Sequence, residues 1–133
     1  MSKDSREFIG QLASALTGRD AETASGLFAS WLSADEAWSK VESVEAGTRE
    51  EWDDVEIGAA DGYEIDGNPM SASELRDEGV ALPAEIDDDN FKGWWCITVQ
   101  ADDGEWSLYD FWLALITEKG SLKVGYYEVS DPD

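Results

Sequence analysis

The sequence has no histidine, one cysteine and only nine lysines and arginines in 133 residues. Without histidine there is no Ser-His-Asp or Cys-His nucleophile system and no imidazole metal site. A single cysteine rules out thiolate zinc sites and an internal disulfide. Cys96 lies between Trp95 and Ile97 in a strand-like run and reads as a buried, inert thiol in a reducing, cytoplasmic compartment. Neither Gly-x-x-x-x-Gly-Lys-Ser/Thr nor Gly-x-Gly-x-x-Gly occurs, so phosphate-cradling loops are not indicated. The acidic loops fail as calcium loops: counting from Asp61, Tyr63 takes the third position, and counting from Asp66, Met70 takes the fifth, where oxygen ligands are needed. Asp87, Asp88 and Asp89 form a charge run of the kind that is usually a solvated loop. No metal and no cofactor are therefore expected. The longest apolar run, Phe111 to Ile116, is too short to span a bilayer, and Met1 to Glu7 lack the apolar stretch of an export signal. Neither export nor membrane anchoring is expected.

Acid dominates what is present. Thirty-one Asp and Glu leave a net charge of −22, a field that repels phosphate backbones and anionic membranes and speeds encounter with basic partners. Nucleic acid is disfavoured as a partner; the acidity serves either solubility or a basic protein. Such a charge alone would point to disorder, but 42% hydrophobic residues provide enough apolar surface to fold. The length suits one domain, residues 1–133.

Phe8, Ile9, Leu12, Ala15 and Leu16 recur at helical spacing before Gly18, predicting a helix from about Ser5 to Thr17. A second is expected from Asp20, with Ala24, Leu27, Phe28, Trp31 and Leu32 as its apolar face. Ser33-Ala34-Asp35-Glu36 has capping-box form and opens a third, to about Glu45. Thr48-Arg49-Glu50-Glu51 and Ser71-Ala72-Ser73-Glu74 repeat the pattern, the latter opening a short helix that ends near Gly79. Val55 to Ile57 and Tyr63 to Ile65 read as short strands, with turn chemistry at Asp61-Gly62 and Asp66 to Pro69, and Gly79 to Asn90 as an exposed connection. From Phe91 on, β-rich runs punctuated at Asp102 to Glu105 and Glu118 to Ser121 predict a three-stranded antiparallel meander: Trp94 to Ala101, Trp106 to Thr117 and Leu122 to Val129. The middle strand is apolar on both faces, as in a sheet covered on both sides. The fold class is α+β.

Two kinds of residue carry candidate function. Asp110, set among Leu108, Tyr109, Phe111 and Trp112, would have a raised pKa if desolvated in an apolar cavity and could then act as a base toward a carbon acid. The structural reading is the stronger one: a carboxylate near the start of its strand that reaches solvent at a sheet edge or accepts hydrogen bonds from Tyr or Trp groups. The seven tryptophans are mostly core, and a fraction of them would line a ligand cavity. Trp94 and Trp95 point to opposite faces of one strand, so they cannot share a pocket.

The element order, Phe8 to Leu16, the Gly-Arg-Asp turn, Ala21 to Leu32 with Leu27-Phe28-Ala29, and a long meander ending in Leu122 to Val129, resembles the NTF2-like superfamily. There, N-terminal helices pack into a curved antiparallel sheet of cystatin-like type. The resemblance implies a pocket inside the cone, with Trp31, Trp95, Trp112, Tyr63 and Tyr126 as candidate lining residues. It carries over no catalytic set, because enzymes of the superfamily often pair His or Tyr with Asp, and this chain has no His. The leading expectation is a non-enzymatic domain that binds a partner protein or an apolar small molecule, with a homodimer through one sheet face as a further arrangement. An acidic immunity-type protein that neutralises a basic toxin is a specific version. The alternative is a small isomerase or lyase, with Asp110 as base and Tyr63, Tyr109 or Tyr126 as hydrogen-bond donor to an enolate.

Overall fold

The structure is a computed structural model that describes residues 3–132; Met1 and Ser2, the first residues of the segment read for an export signal, lie outside the described residues. The element order is α1 (Lys3–Thr17), α2 (Ala21–Ser25), α3 (Ala34–Glu51), β1 (Ala60–Asn68), α4 (Ala72–Asp77), β2 (Phe91–Ala101), β3 (Trp106–Glu118) and β4 (Ser121–Ser130). The four strands form one antiparallel sheet in the order β1-β2-β3-β4. The chain is thus α+β, helices first and meander last. Among the described residues no helix is long and apolar enough to cross a membrane.

The meander follows from its turns. Glu118 pairs with Ser121 around Lys119 and Gly120, both at positive φ (53° and 80°), the two-residue turn whose twist matches the flanking strands. At the other end, Asp102, Asp103 and Gly104 all take positive φ, and the Glu105 amide donates back to the Asp102 carbonyl. The pairing register slips near Phe91/Gly93 and Val99/Gln100 on β2, near Ala114/Leu115 on β3, and between Ala60 and Gly62 on β1; such bulges increase twist.

α1 and α3 pack on one face of the sheet. There Ile9, Leu12 and Leu16 of α1 and Val41 of α3 meet Trp95, Ile97, Val99, Phe111, Leu113 and Leu115. A second, smaller cluster lies on the opposite, outer face, where Ala72 and Leu75 of α4 and Leu82 and Ile86 beyond it cover Trp94, Ala114 and Ile116. β3 is therefore covered on both sides over part of its length, as its apolar sequence requires.

Several expectations are corrected. The second helix stops after five residues at Ser25. Phe28 instead forms a parallel bridge with Val124, the Ala29 amide donates to the Val124 carbonyl, and the Val124 amide donates to the Leu27 carbonyl. The unpaired edge of β4 supplies backbone partners that outcompete a helix at this point. Thr48-Arg49-Glu50-Glu51 caps nothing: α3 runs through it to Glu51, because the Thr48 hydroxyl bonds the Val44 and Leu108 carbonyls (3.1 and 2.9 Å) and Glu45 pairs with Arg49 one turn on. Val55 to Ile57 is not a strand, and Asp61-Gly62 lies inside β1 at its bulge rather than in a turn. Ser71 does form a complete capping box with Glu74, and Gly79, at φ 94°, follows that helix. The stretch from Gly79 to Asn90 is a loop.

Candidate functional site

The strand register assigns side chains to faces. Across the outer face, one row reads Glu64, Thr98, Asp110, Ser130; the next reads Asp66, Cys96, Trp112, Glu128; the third reads Asn68, Trp94, Ala114, Tyr126. α4 and the following loop pack over the third row, on Trp94, Ala114 and Tyr126. Of the first two rows Trp112 alone packs against that cluster; Glu64, Asp66, Glu128 and Ser130 are exposed, Trp112 is half-buried, and Cys96 and Asp110 are buried.

Aromatic rings make the floor rigid. Trp94 stacks on Trp112 (centroids 5.8 Å, 21° between planes) and on Tyr126 (6.3 Å, 24°). The Trp31 indole N–H reaches across from the β4 edge to donate to the Gly125 carbonyl at 2.9 Å. Trp112 borders two open depressions, one of about 440 Å³ with Glu64, Asp66, Cys96 and Thr98, the other of about 340 Å³ with Trp94, Glu128 and Ser130. Burial, and then the neighbouring Glu128 carboxylate, push the Tyr126 phenol up to about 12.

Asp110 stands in the first row and is buried at 8% exposure. One carboxylate oxygen accepts from the Thr98 hydroxyl across the strand pair at 2.7 Å. It lines neither depression. It also does not line the enclosed apolar cavity on the helix side, which lies between Leu16, Ala24, Phe28, Trp38, Val41 and Phe111 and holds about 20 Å³, room for roughly one water.

The five aromatics expected to line one pocket are divided by the sheet. Trp31, Trp112 and Tyr126 belong to the outer face. Trp95 is fully buried on the helix side, its ring 5.8 Å from the Arg6 guanidinium carbon, and its buried indole nitrogen finds no hydrogen-bond partner among the described residues. Tyr63, 38% exposed, borders a surface groove beside Gly10 and Ser14 of α1 and Gly18 just after it. Tyr109, a donor under the catalytic alternative, also faces the helices. Burial and the Glu45 carboxylate raise its pKa, and Arg19 partly offsets them. Glu45 is itself held between Arg19 and Arg49, so this buried polar group is satisfied within the fold.

Cys96 is buried at 7% and stands between Asp66 and Trp112 in the second row. Asp87 accepts from the Asp89 and Asn90 amides and Asp88 from the Ser73 hydroxyl and amide, so two carboxylates of that run stitch the loop after α4. Among the described residues no group of three or more acidic or thiol side chains is arranged to hold a metal ion. Sequence reasoning missed Glu64, Asp66 and Glu128 as site residues; their alternation with Ile65, Tyr127 and Val129 was the available signal.

The chain matches no protein-family model, no curated protein and no solved structure.

Proposed function

We propose that this chain is a non-enzymatic binding domain whose partner is a basic protein, docked on the bare rows of the sheet's outer face. The observation that carries the reading is the half-buried Trp112, stacked on Trp94 and paired in register with Glu128, with Glu64 and Asp66 across one open depression from it. An aromatic centre with a charged rim is the usual anatomy of a protein interface. The net charge of −22 selects a cationic partner and accelerates its arrival. The same charge opposes a homodimer through this face, since two copies would press like charges together. Helices followed by a bulged meander support an NTF2-like frame for the domain, and neutralisation of a basic toxin is one role of this kind.

Small-molecule binding finds less support, because the apolar cavity on the helix side holds only about 20 Å³, far below the roughly 300–1,000 Å³ of ligand pockets, and the two larger depressions beside Trp112 are open to solvent and acidic rather than apolar and closed. Catalysis by Asp110 finds less as well: its buried carboxylate is engaged by the Thr98 hydroxyl, and it lines neither depression nor the helix-side cavity where a substrate could reach it.

The test is capture of partners by the wild type and by a triple variant, Glu64→Lys, Asp66→Lys, Glu128→Lys, followed by hydrogen-exchange mapping of the captured pair. A basic partner that protects β1, β3 and β4 and is lost by the variant is the expected result. A partner held equally by both forms would overturn the assignment of the face.

A further inference from the structure

We infer that the end of α3 is a second docking point, one that takes an arginine-bearing segment of a protein partner onto the Trp52–Trp106 pair. This site lies on the helix side of the sheet, where Trp106 packs against the main core, and it is independent of the outer face.

Three observations converge. Trp52 is 45% exposed and Val55 37%, two of the three exposed large hydrophobics of the described chain, and both fall in one four-residue turn closed by the Val55 amide on the Trp52 carbonyl. The Trp52 ring leans on Trp106 (centroids 5.4 Å, 57°), which fixes its orientation while leaving nearly half of it in water. The turn is held at its far end too, because Arg49 donates to the Ile57 and Gly58 carbonyls (2.8 and 2.9 Å). An aromatic fixed in this way loses little entropy on binding.

The charge around the pair is of one sign. Residues 50–57 contain Glu50, Glu51, Asp53, Asp54 and Glu56 and no cation, and Glu50 to Glu56 are all exposed. Glu50 and Glu51 close an 18-residue helix, at the end where backbone carbonyls already concentrate negative potential and acidic side chains are unfavourable. The cation of that last turn, Arg49, is committed to Glu45 and to the two carbonyls. Local stability is given up here for a negative field over an exposed indole, and a guanidinium relieves both: it stacks on the indole face and pairs with flanking carboxylates. Lysine, a hydrated point charge, stacks less well.

The experiment titrates tetra-arginine amide and tetra-lysine amide into the full chain in about 0.15 M sodium chloride, reading the indole N–H signals of the tryptophans by NMR. Saturable shifts at Trp52 and Trp106, larger and at lower concentration for arginine, are expected. Trp52→Ala should weaken arginine binding about two- to fivefold, and Glu51→Gln with Asp53→Asn and Asp54→Asn should weaken it while leaving both rings in place. Trp112→Ala should leave the Trp52 shifts unchanged. Shifts confined to Trp112 would overturn this site while sparing the outer-face reading, whereas shifts confined to Trp52 and Trp106 would support this site and leave the outer-face reading to its own capture test. Equal binding by the Trp52→Ala variant, or no saturable shift with either peptide, would overturn it.

Discussion

Phe111 and Trp112 are neighbours in one strand, and they face two different environments. Phe111 is fully buried under the helices, stacked on Tyr127 at 5.7 Å and 7°. Trp112 is half-buried on the outer face, at the margin of the cluster that α4 and its loop cover, where it stacks on Trp94. The helix side excludes water around a continuous core, whereas the outer side is core at one end and open at the other. A sheet covered completely on both faces would have no surface left for recognition beyond its edges; the partial cover of the outer face leaves Glu64, Asp66 and Glu128 in solvent, where the proposed docking would take place.

The comparison breaks most visibly in the largest effect. Phe111→Ala should cost about 3–5 kcal/mol in urea unfolding, and Trp112→Ala less than half of that. Equal losses would mean that the outer face is closed core and carries no docking surface. The covered end of the outer face is tested by Gly125→Ala, whose new Cβ would stand 2.9 Å from Ile116 Cγ1 and Cγ2 and 3.0 Å from Ile86 Cδ1. It should destabilise by about 1–3 kcal/mol, as over-packing does; a neutral result would show the loop after α4 to be loosely applied.

Smaller effects sharpen the open end. Replacing Glu64, Asp66 and Glu128 by glutamine removes crowded like charges and should stabilise by a few tenths of a kcal/mol per site at low salt. The gain should shrink by about 1 M sodium chloride, where the screening length is about 3 Å. The wild type should correspondingly melt higher as salt is added; a flat or falling Tm would mean that its charges are locally compensated. The subtlest effect is on Tyr126, whose phenol is pushed up to about 12 from an ordinary 10.0. The fold favours its neutral form, so this contribution to stability is complete below about pH 10 and is lost as pH rises toward 12. Absorbance titration of Glu128→Gln should move the midpoint downward while leaving it above 10, since burial is the larger cause. An unmoved midpoint would separate Glu128 from the aromatic stack.

Much of this architecture is legible in particular residues. Phe8, Ile9, Leu12 and Leu16 keep one helical face, and Lys119-Gly120 supplies the two positive-φ residues that a tight hairpin demands. The segment from Leu27 to Leu32 was misleading for a physical reason. Its apolar spacing fits a helix, yet Leu27, Phe28 and Leu32 pack on the helix side while Ala29 and Trp31 pack on the outer side. A chain wrapping a sheet edge buries residues on both faces, and periodicity alone does not distinguish it from an amphipathic helix. The site was harder to read still, since Glu64, Asp66, Asp110, Trp112 and Glu128 come from three strands, and their neighbourhood exists only in the register.

The sequence by itself determined the α+β class, the C-terminal meander, the acidity and the absence of histidine or paired-cysteine chemistry, because these depend on local periodicity, turn residues and composition. The tertiary structure decided which aromatics face which side, that Asp110 bonds Thr98 instead of entering a cavity, and that Glu128 stands beside Trp112 with Glu64 and Asp66 across one open depression from it. Those facts depend on strand pairing, where each one-residue shift moves a side chain to the opposite face, and on how far a short helix and its loop extend across a sheet that could have been covered in full.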